Sequence, residues 1–214
     1  MISGSKIIST TPGSLSKIVV FLHGYGASGD DLIGLSNLWQ HLLPPTVFVA
    51  PNGPEPCDTN IFGYQWFGLP DLSPTNMRLG LDRIRPVLLN YISSLLGEYQ
   101  MSPQDLALVG FSQGAIVALE MMFAMPTINC VLGYSGAFFA PPSSLHSSPS
   151  TKVMLIHGNR DTVVPYLALF QSQTQLRTLN IKTEIHTCHG IGHTINDVGI
   201  EVGGQFLSRN FNSK

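Results

Sequence analysis

Charge is scarce in this chain: Asp, Glu, Lys and Arg together make up 11% of 214 residues, well under the roughly 25% of an average globular protein. The two signs nearly cancel, leaving a formal net charge of −2, and Lys and Arg nowhere cluster. Nucleic acid or an anionic lipid surface would need a basic patch that is missing, so neither is expected as a partner. Long apolar runs are missing too. No segment approaches the roughly 18 unbroken apolar residues of a membrane span, so no stable membrane anchor is expected. The first ten residues, with one Lys and a two-residue apolar run, lack the pattern of a secretory signal. Cysteine is rare: Cys57, Cys130 and Cys188 are odd in number and widely spaced, which excludes a disulfide framework and fits reduced thiols in a cytoplasmic protein.

The length suits one α/β domain over residues 1–214, able to bury roughly 70% of its unfolded surface. Mean hydropathy is slightly positive. Some apolar surface is therefore expected to stay exposed, as in a homodimer or a protein that meets membrane surfaces.

Apolar, β-branched runs recur at Ile18–Leu22, Thr46–Ala50, Leu106–Val109, Cys130–Tyr134, Val153–Ile156 and Thr183–Thr187. Most are continuous rather than alternating, as in strands covered on both faces. Helical spacing lies between them. Met77, Leu81, Ile84, Leu88, Tyr91 or Ile92, and Leu95 form one such stripe, introduced by Ser73 as N-cap and Pro74 in the first turn, with a kink or break expected at Pro86. Strand and helix alternation predicts a mostly parallel central sheet with helices on both faces. Two stretches show neither period: the Ser/Pro-rich Ala140 to Thr151, expected as a surface loop, and Asn52 to Leu72, which gathers Phe62, Tyr64, Trp66, Phe67 and Leu69.

After the first strand comes "HGYGASGDD", which contains G-x-G-x-x-G. A dinucleotide site would need an acid about 20 residues further on, at the end of the next strand. No acid lies between Asp31 and Glu55, so that reading fails. Further along, Gly110-Phe111-Ser112-Gln113-Gly114 places a G-x-S-x-G between an apolar strand and an apolar helix, the context in which a sharp turn exposes a serine hydroxyl.

Such a hydroxyl needs a base and an orienting acid, and in this architecture they follow in the order Ser, Asp or Glu, His. Asp161 follows the strand "KVMLIHG", and His193 lies in "HGIGHTI" after the last strand. Ser112, Asp161 and His193 are the candidate triad. Ser135 lacks the spaced second glycine, Asp197 lies too near His193 to come from another strand end, and His189 is the closest rival base. His186, Cys188, His189 and His193 lack the partners of a zinc site, so no metal and no other cofactor is expected. The early Gly-rich loop then acquires a role: the Tyr25 and Gln113 amides are the candidate oxyanion donors.

"FLHGYGASGDD", "GFSQGA", "HGNRDTVVP" and "GIGHTI" together resemble the phospholipase/carboxylesterase family of α/β-hydrolases, over nearly the whole chain. The resemblance implies the α/β-hydrolase fold, the triad Ser112, Asp161 and His193, and oxyanion positions at Tyr25 and Gln113. Three positions depart from the family pattern. Gly68 stands where an acid is usual, Phe138 near the place of a Trp, and Ala115 where a third Gly is common. The expected activity is a serine esterase acting on small ester or thioester substrates with short to medium acyl chains, with Phe62, Trp66, Phe67, Leu69 and Phe138 as pocket walls. Lysophospholipase and acyl-protein thioesterase activities are the alternatives within that chemistry. A non-catalytic carrier of apolar ligands is the alternative outside it.

Overall fold

The computed structural model describes residues 2–8, 14–71, 73–141 and 149–212. Seven strands form the main sheet: β1 (Ser3–Ile8), β2 (Lys17–Leu22), β3 (Thr46–Asn52), β6 (Leu106–Phe111), β7 (Cys130–Tyr134), β8 (Lys152–Gly158) and β9 (Thr183–Cys188). Their order is β1-β3-β2-β6-β7-β8-β9. Only β1 runs antiparallel, pairing with β3 from Ser3 opposite Asn52 to Ile8 opposite Val47. A two-stranded hairpin, β4 (Glu55–Pro56) with β5 (Tyr64–Gln65), stands apart from it.

All six strands expected from continuous apolar runs are present, and their burial shows why the runs are continuous. Ile18, Val20 and Leu22 pack into one layer with α3 (Pro74–Glu98), α4 (Gln113–Ala124) and α5 (Leu167–Thr178), while Val19 and Phe21 pack into the other. That second layer holds α1 (Asp30–Ile33), α2 (Leu35–Trp39) and α6 (Asp197–Phe211). With helices over both faces, every residue of a central strand is inside. β1 and the hairpin escape the periodicity argument, because their apolar stretches are too short to show a period.

Helix α3 corrects one expectation. Ser73 caps it by accepting from the Asn76 amide, and Pro74 opens it, but the helix runs unbroken for 25 residues through Pro86. The buried stripe Met77, Leu81, Ile84, Leu88, Ile92 and Leu95 lies on the opposite face. Asp82, Arg83, Pro86 and Val87 are exposed, so water can serve the carbonyl that Pro86 leaves without a donor, and packing of the buried face outweighs the local loss. Of the Ser/Pro-rich stretch Ala140 to Thr151, residues 142–148 lie outside the described residues, as does residue 72 at the end of the aromatic stretch.

Helix α6 sits close to the sheet through its glycines. A Cβ at Gly203 would collide with the Tyr134 hydroxyl and come within 2.9 Å of Leu132 Cδ2, and that hydroxyl already donates to the Gly199 carbonyl at 3.0 Å. Gly203→Ala gains about 1 kcal/mol of helix propensity, whereas overpacking a dense core costs about 1–3 kcal/mol. A lower urea midpoint with unchanged slope is the expected result. An unchanged or higher midpoint would show that α6 can move off the sheet.

Candidate active site

Four loops at the C-terminal ends of parallel strands build the site: Gly24–Ala27 after β2, Ser112 after β6, Asp161 after β8 and His193 after β9. This is the edge at which open α/β sheets place their ligands. Ser112 occupies the turn between β6 and α4 at φ 53, ψ −118, a conformation that costs a non-glycine residue about 1–3 kcal/mol. The flanking glycines explain how the turn closes. A Cβ on Gly114 would strike the Leu22 carbonyl and lie 2.6 Å from the His23 carbonyl, and one on Gly110 would strike Gly114 and Ala115. Helix α4 can start this close to β2 only without those side chains. Ala115 fits for a complementary reason: its methyl lies 3.4 Å from where a Cβ of Gly133 would stand and 2.6 Å from one on Gly136. Gly133 on the neighbouring strand β7 and Gly136 just beyond its end make room for it.

The structure brings Ser112, His193 and Asp161 into one chain of contacts. Ser112 Oγ lies 3.0 Å from His193 Nε2, and His193 Nδ1 lies 2.8 Å from Asp161 Oδ2. An ionised carboxylate only accepts, so Nδ1 carries the proton and Nε2 is left to accept from the serine hydroxyl. Asp161 is buried, and burial alone would push its carboxyl up. The bond from His193 and those from the Val164 and Val163 amides, both at 2.9 Å to Oδ1, outweigh burial and hold it below the usual carboxylate range. The rivals lie elsewhere. His189 Nδ1 is 3.4 Å from the Asn159 side-chain amide, and Ser135 is buried at φ 47 with its amide donating to the Ile156 carbonyl.

Three further side chains, which no sequence motif marks, support the site. His157 is buried, with Nε2 donating to the Val164 carbonyl at 2.9 Å and lying 3.3 Å from Asp161 Oδ2. Gln113 uses its side chain as a brace, accepting from the Trp66 amide at 3.0 Å and donating to the Phe67 carbonyl at 2.7 Å. His23 shapes the Gly-rich loop. Its Nε2 accepts from the Gly53 amide at 2.9 Å, so Nδ1 must carry the proton that bonds the Gly24 carbonyl at 2.7 Å. In a trans peptide the carbonyl and the next N–H point opposite ways, so holding the Gly24 carbonyl aims the Tyr25 amide away from His23. The adjacent histidine and glycine in "LHGYG" were the available signal, but the contact partner Gly53 is 30 residues distant.

The amides of Tyr25 and Gln113 have no bonded acceptor among the described residues, as expected for the first turn of a helix in the case of Gln113. The hairpin holds the Tyr25 loop in place: the Gly26 amide donates to the Tyr64 carbonyl at 2.9 Å, the Tyr64 amide to the Ala27 carbonyl at 2.8 Å, and the Asn60 side chain to the Gly26 carbonyl at 2.7 Å. Residues 52–71 are therefore a brace rather than an irregular loop.

The expected pocket walls separate into different environments. Trp66 is a core side chain, 1% exposed, with its indole donating to the His23 carbonyl at 2.9 Å. Phe67 is equally buried and packs against Gly80 of α3, where a Cβ would strike its ring. Burying these large rings stabilises the packing beneath the hairpin, and Phe67 also lines a recess with Gly68, Pro70 and Leu79. Phe62 lies at the other extreme, 86% exposed at the hairpin turn. Leu69 is half-buried against the first core layer. Phe138 lines a groove of about 640 Å³ together with Leu79, Ala137, Phe139 and Ala168. At Gly68 the acid is missing from the chain but not from the space: Asp58 Oδ2 lies 3.2 Å from where a Cβ would stand.

A family model described as phospholipase/carboxylesterase matches residues 4–211. Among solved structures the chain is similar to the esterase PE8, with 36% identity, a TM-score of 0.89, and coverage of 98% of this chain and 99% of that one. Among curated relatives it is 25% identical over 192 residues to the esterase YpfH of Escherichia coli K12, covering 89% of this chain and 82% of that protein. It is 26% identical over 214 residues to acyl-protein thioesterase 1 of Saccharomyces cerevisiae, covering 92% and 94%. The sheet and its two helical layers are those of the α/β-hydrolase fold. No helix among the described residues is long and apolar enough to cross a membrane.

Burial pushes the His23 imidazole down from its ordinary value near 6.5, against the raising effects of the Gly24 carbonyl and the Asp31 charge. The unfolded chain therefore binds this proton at a higher pH than the folded one. Stability from this group is complete above about pH 6.5 and is lost as pH falls toward the folded value. Urea midpoints measured from pH 7.5 to 5.0 should fall, and His23→Gln should flatten part of that fall. Identical slopes in both proteins would contradict the neutral clamp.

Proposed function

Because the chain belongs to the phospholipase/carboxylesterase family and is a carboxylic ester hydrolase, we propose that Ser112 attacks the acyl carbon of esters or thioesters carrying short to medium acyl chains. The observation that carries this reading is the contact chain from Ser112 Oγ through His193 to Asp161, at 3.0 and 2.8 Å.

His193 Nε2 takes the hydroxyl proton as the Oγ–carbon bond forms, and Asp161 holds the imidazole in the required tautomer and stabilises the imidazolium. The carbonyl oxygen becomes an alkoxide facing the Tyr25 and Gln113 amides. Each donor of this kind is worth about 3 kcal/mol in the transition state. His193 then passes its proton to the departing oxygen or sulfur, leaving an acyl-enzyme on Ser112. Water, deprotonated by the same imidazole, repeats the sequence and releases the acid. Oxyesters and thioesters pass through the same tetrahedral geometry, so these residues serve either.

The acyl chain lies along the Phe138 groove. Gly136, two residues earlier, stands against Ala115 and the Ser112 carbonyl, so the segment that supplies the groove wall passes close to Ser112. Its size is within the range of about 300–1,000 Å³ typical of ligand pockets. A carrier of apolar ligands would have no need of a carboxylate-backed imidazole on a strained serine. The three cysteines, all free and buried, support a cytoplasmic setting.

With p-nitrophenyl butyrate as substrate, Ser112→Ala should lower kcat by roughly 10⁴-fold or more, and a fluorophosphonate should add once to the wild type and not to the variant. Retained turnover in Ser112→Ala would overturn the assignment. A series of oxyesters and thioesters from acetyl to dodecanoyl then sets the chain-length range, and a maximum beyond ten carbons would contradict it.

A further inference from the structure

A second recess, of about 400 Å³, opens on the His193 side of the site and is set off from the Phe138 groove by its lining, which shares no residue with it. Phe111 and His193 form part of it, with Leu32, Leu35 and Ile200 as apolar walls and Asp31 as its acidic group. It reaches the nucleophile through Gly24, another lining residue, where a Cβ would lie 3.4 Å from Ser112 Cβ. The Phe111 and His193 rings are in contact, with centroids 4.8 Å apart. No Lys or Arg is among its described lining residues.

Proton traffic decides which part of a substrate belongs there. The imidazole that takes the Ser112 proton must return it to the departing atom, so that atom has to lie within hydrogen-bond reach of His193 Nε2. The carbonyl oxygen is committed to the Tyr25 and Gln113 amides, and the acyl chain takes the remaining direction toward Phe138. The geometry points to the recess beside His193 as the leaving-group subsite, shaped for compact apolar alcohols that are neutral or cationic and selecting against anionic ones. This inference rests on the serine-hydrolase reading above.

Size and charge support that choice of alcohol. At roughly 30 Å³ per water the recess, about 400 Å³, holds about a dozen waters, enough for an aryl or branched alkyl group. Asp31 is exposed and uses Oδ2 to accept from the Ser28 amide at 2.7 Å and the Ser28 hydroxyl at 3.1 Å. Ser28 thereby fixes a negative charge at the recess without neutralising it. An incoming anionic alcohol meets that charge with no Lys or Arg among the described lining residues to offset it, while a quaternary ammonium alcohol is favoured.

The test holds the acyl group constant as butyrate and varies the alcohol: methyl, phenyl, naphthyl, choline and a carboxylate-bearing phenol. Comparing each variant with wild type on the same ester cancels intrinsic leaving-group reactivity. Ile200→Trp, which narrows the recess, should lower kcat/KM for phenyl and naphthyl butyrate about tenfold more than for methyl butyrate. Ile200→Ala, a gentler change at a half-buried position, should shift preference toward naphthyl. Asp31→Asn should reduce the choline-to-methyl ratio about threefold and raise the carboxylate-bearing phenol by a similar factor, as expected for one solvent-exposed charge. A change in acyl chain-length preference on methyl esters, with alcohol preference unmoved, would assign the recess to the acyl group and overturn the proposal. Wild-type protein inert toward every ester would instead overturn the hydrolase reading on which it depends.

Discussion

The close approach of helix α4 to strand β2 is the constraint on which the site depends. Gly114 brings the helix start against the Leu22 and His23 carbonyls, where any side chain would collide. That contact makes the Ser112 turn sharp, holds it at φ 53, and presents the Gln113 amide beside the loop that carries the Tyr25 amide. Backbone strain at one residue is sustained because packing around it permits no alternative. Buried side chains of α4 on one side and the doubly covered sheet on the other supply that packing.

The Tyr25 loop is held by parts remote in sequence. His23 grips the Gly24 carbonyl from one side and the Gly53 amide from the other. The β4–β5 hairpin bonds Gly26 and Ala27 through Tyr64, and Gln113 ties the hairpin's exit to the Ser112 turn. Loop, hairpin and elbow thus form one hydrogen-bonded unit with Trp66 packed beneath it. In that unit Trp66 and Phe67 are buried supports. Their ring area stabilises the brace that positions two amides, a use of aromatic residues that composition alone cannot separate from ligand binding.

Two recesses on opposite layers of the fold differ in chemistry as well as position. The groove beside Phe138 opens between α3 and α5, whereas the smaller recess lies against α1, α2 and α6 on the other layer of the fold. On the proposed reading, a sheet covered on both faces provides a separate wall set for each half of an ester. Selection for the acid and for the alcohol can then change independently.

The placement of Ser112, Asp161 and His193 at strand ends was legible in the sequence, since a glycine-flanked serine, an acid and a histidine each follow an apolar run, and runs buried on both faces need no partner to be recognised. Ser73 and Pro74 likewise marked the start of α3 by local chemistry alone. Continuity through Pro86 was not legible, because it depends on which face of the helix meets water. Nor were His23, His157 or the Gln113 side chain, whose partners are set by folding, nor the burial of Trp66 and Phe67 beneath a hairpin whose strands are two residues each. The sequence by itself determined the alternation of elements and the order of the reactive groups, which are properties of neighbours along the chain. Only the tertiary structure decided distances, the aim of the Tyr25 amide and the division into two recesses, because those arise where segments 30 to 80 residues apart come into contact.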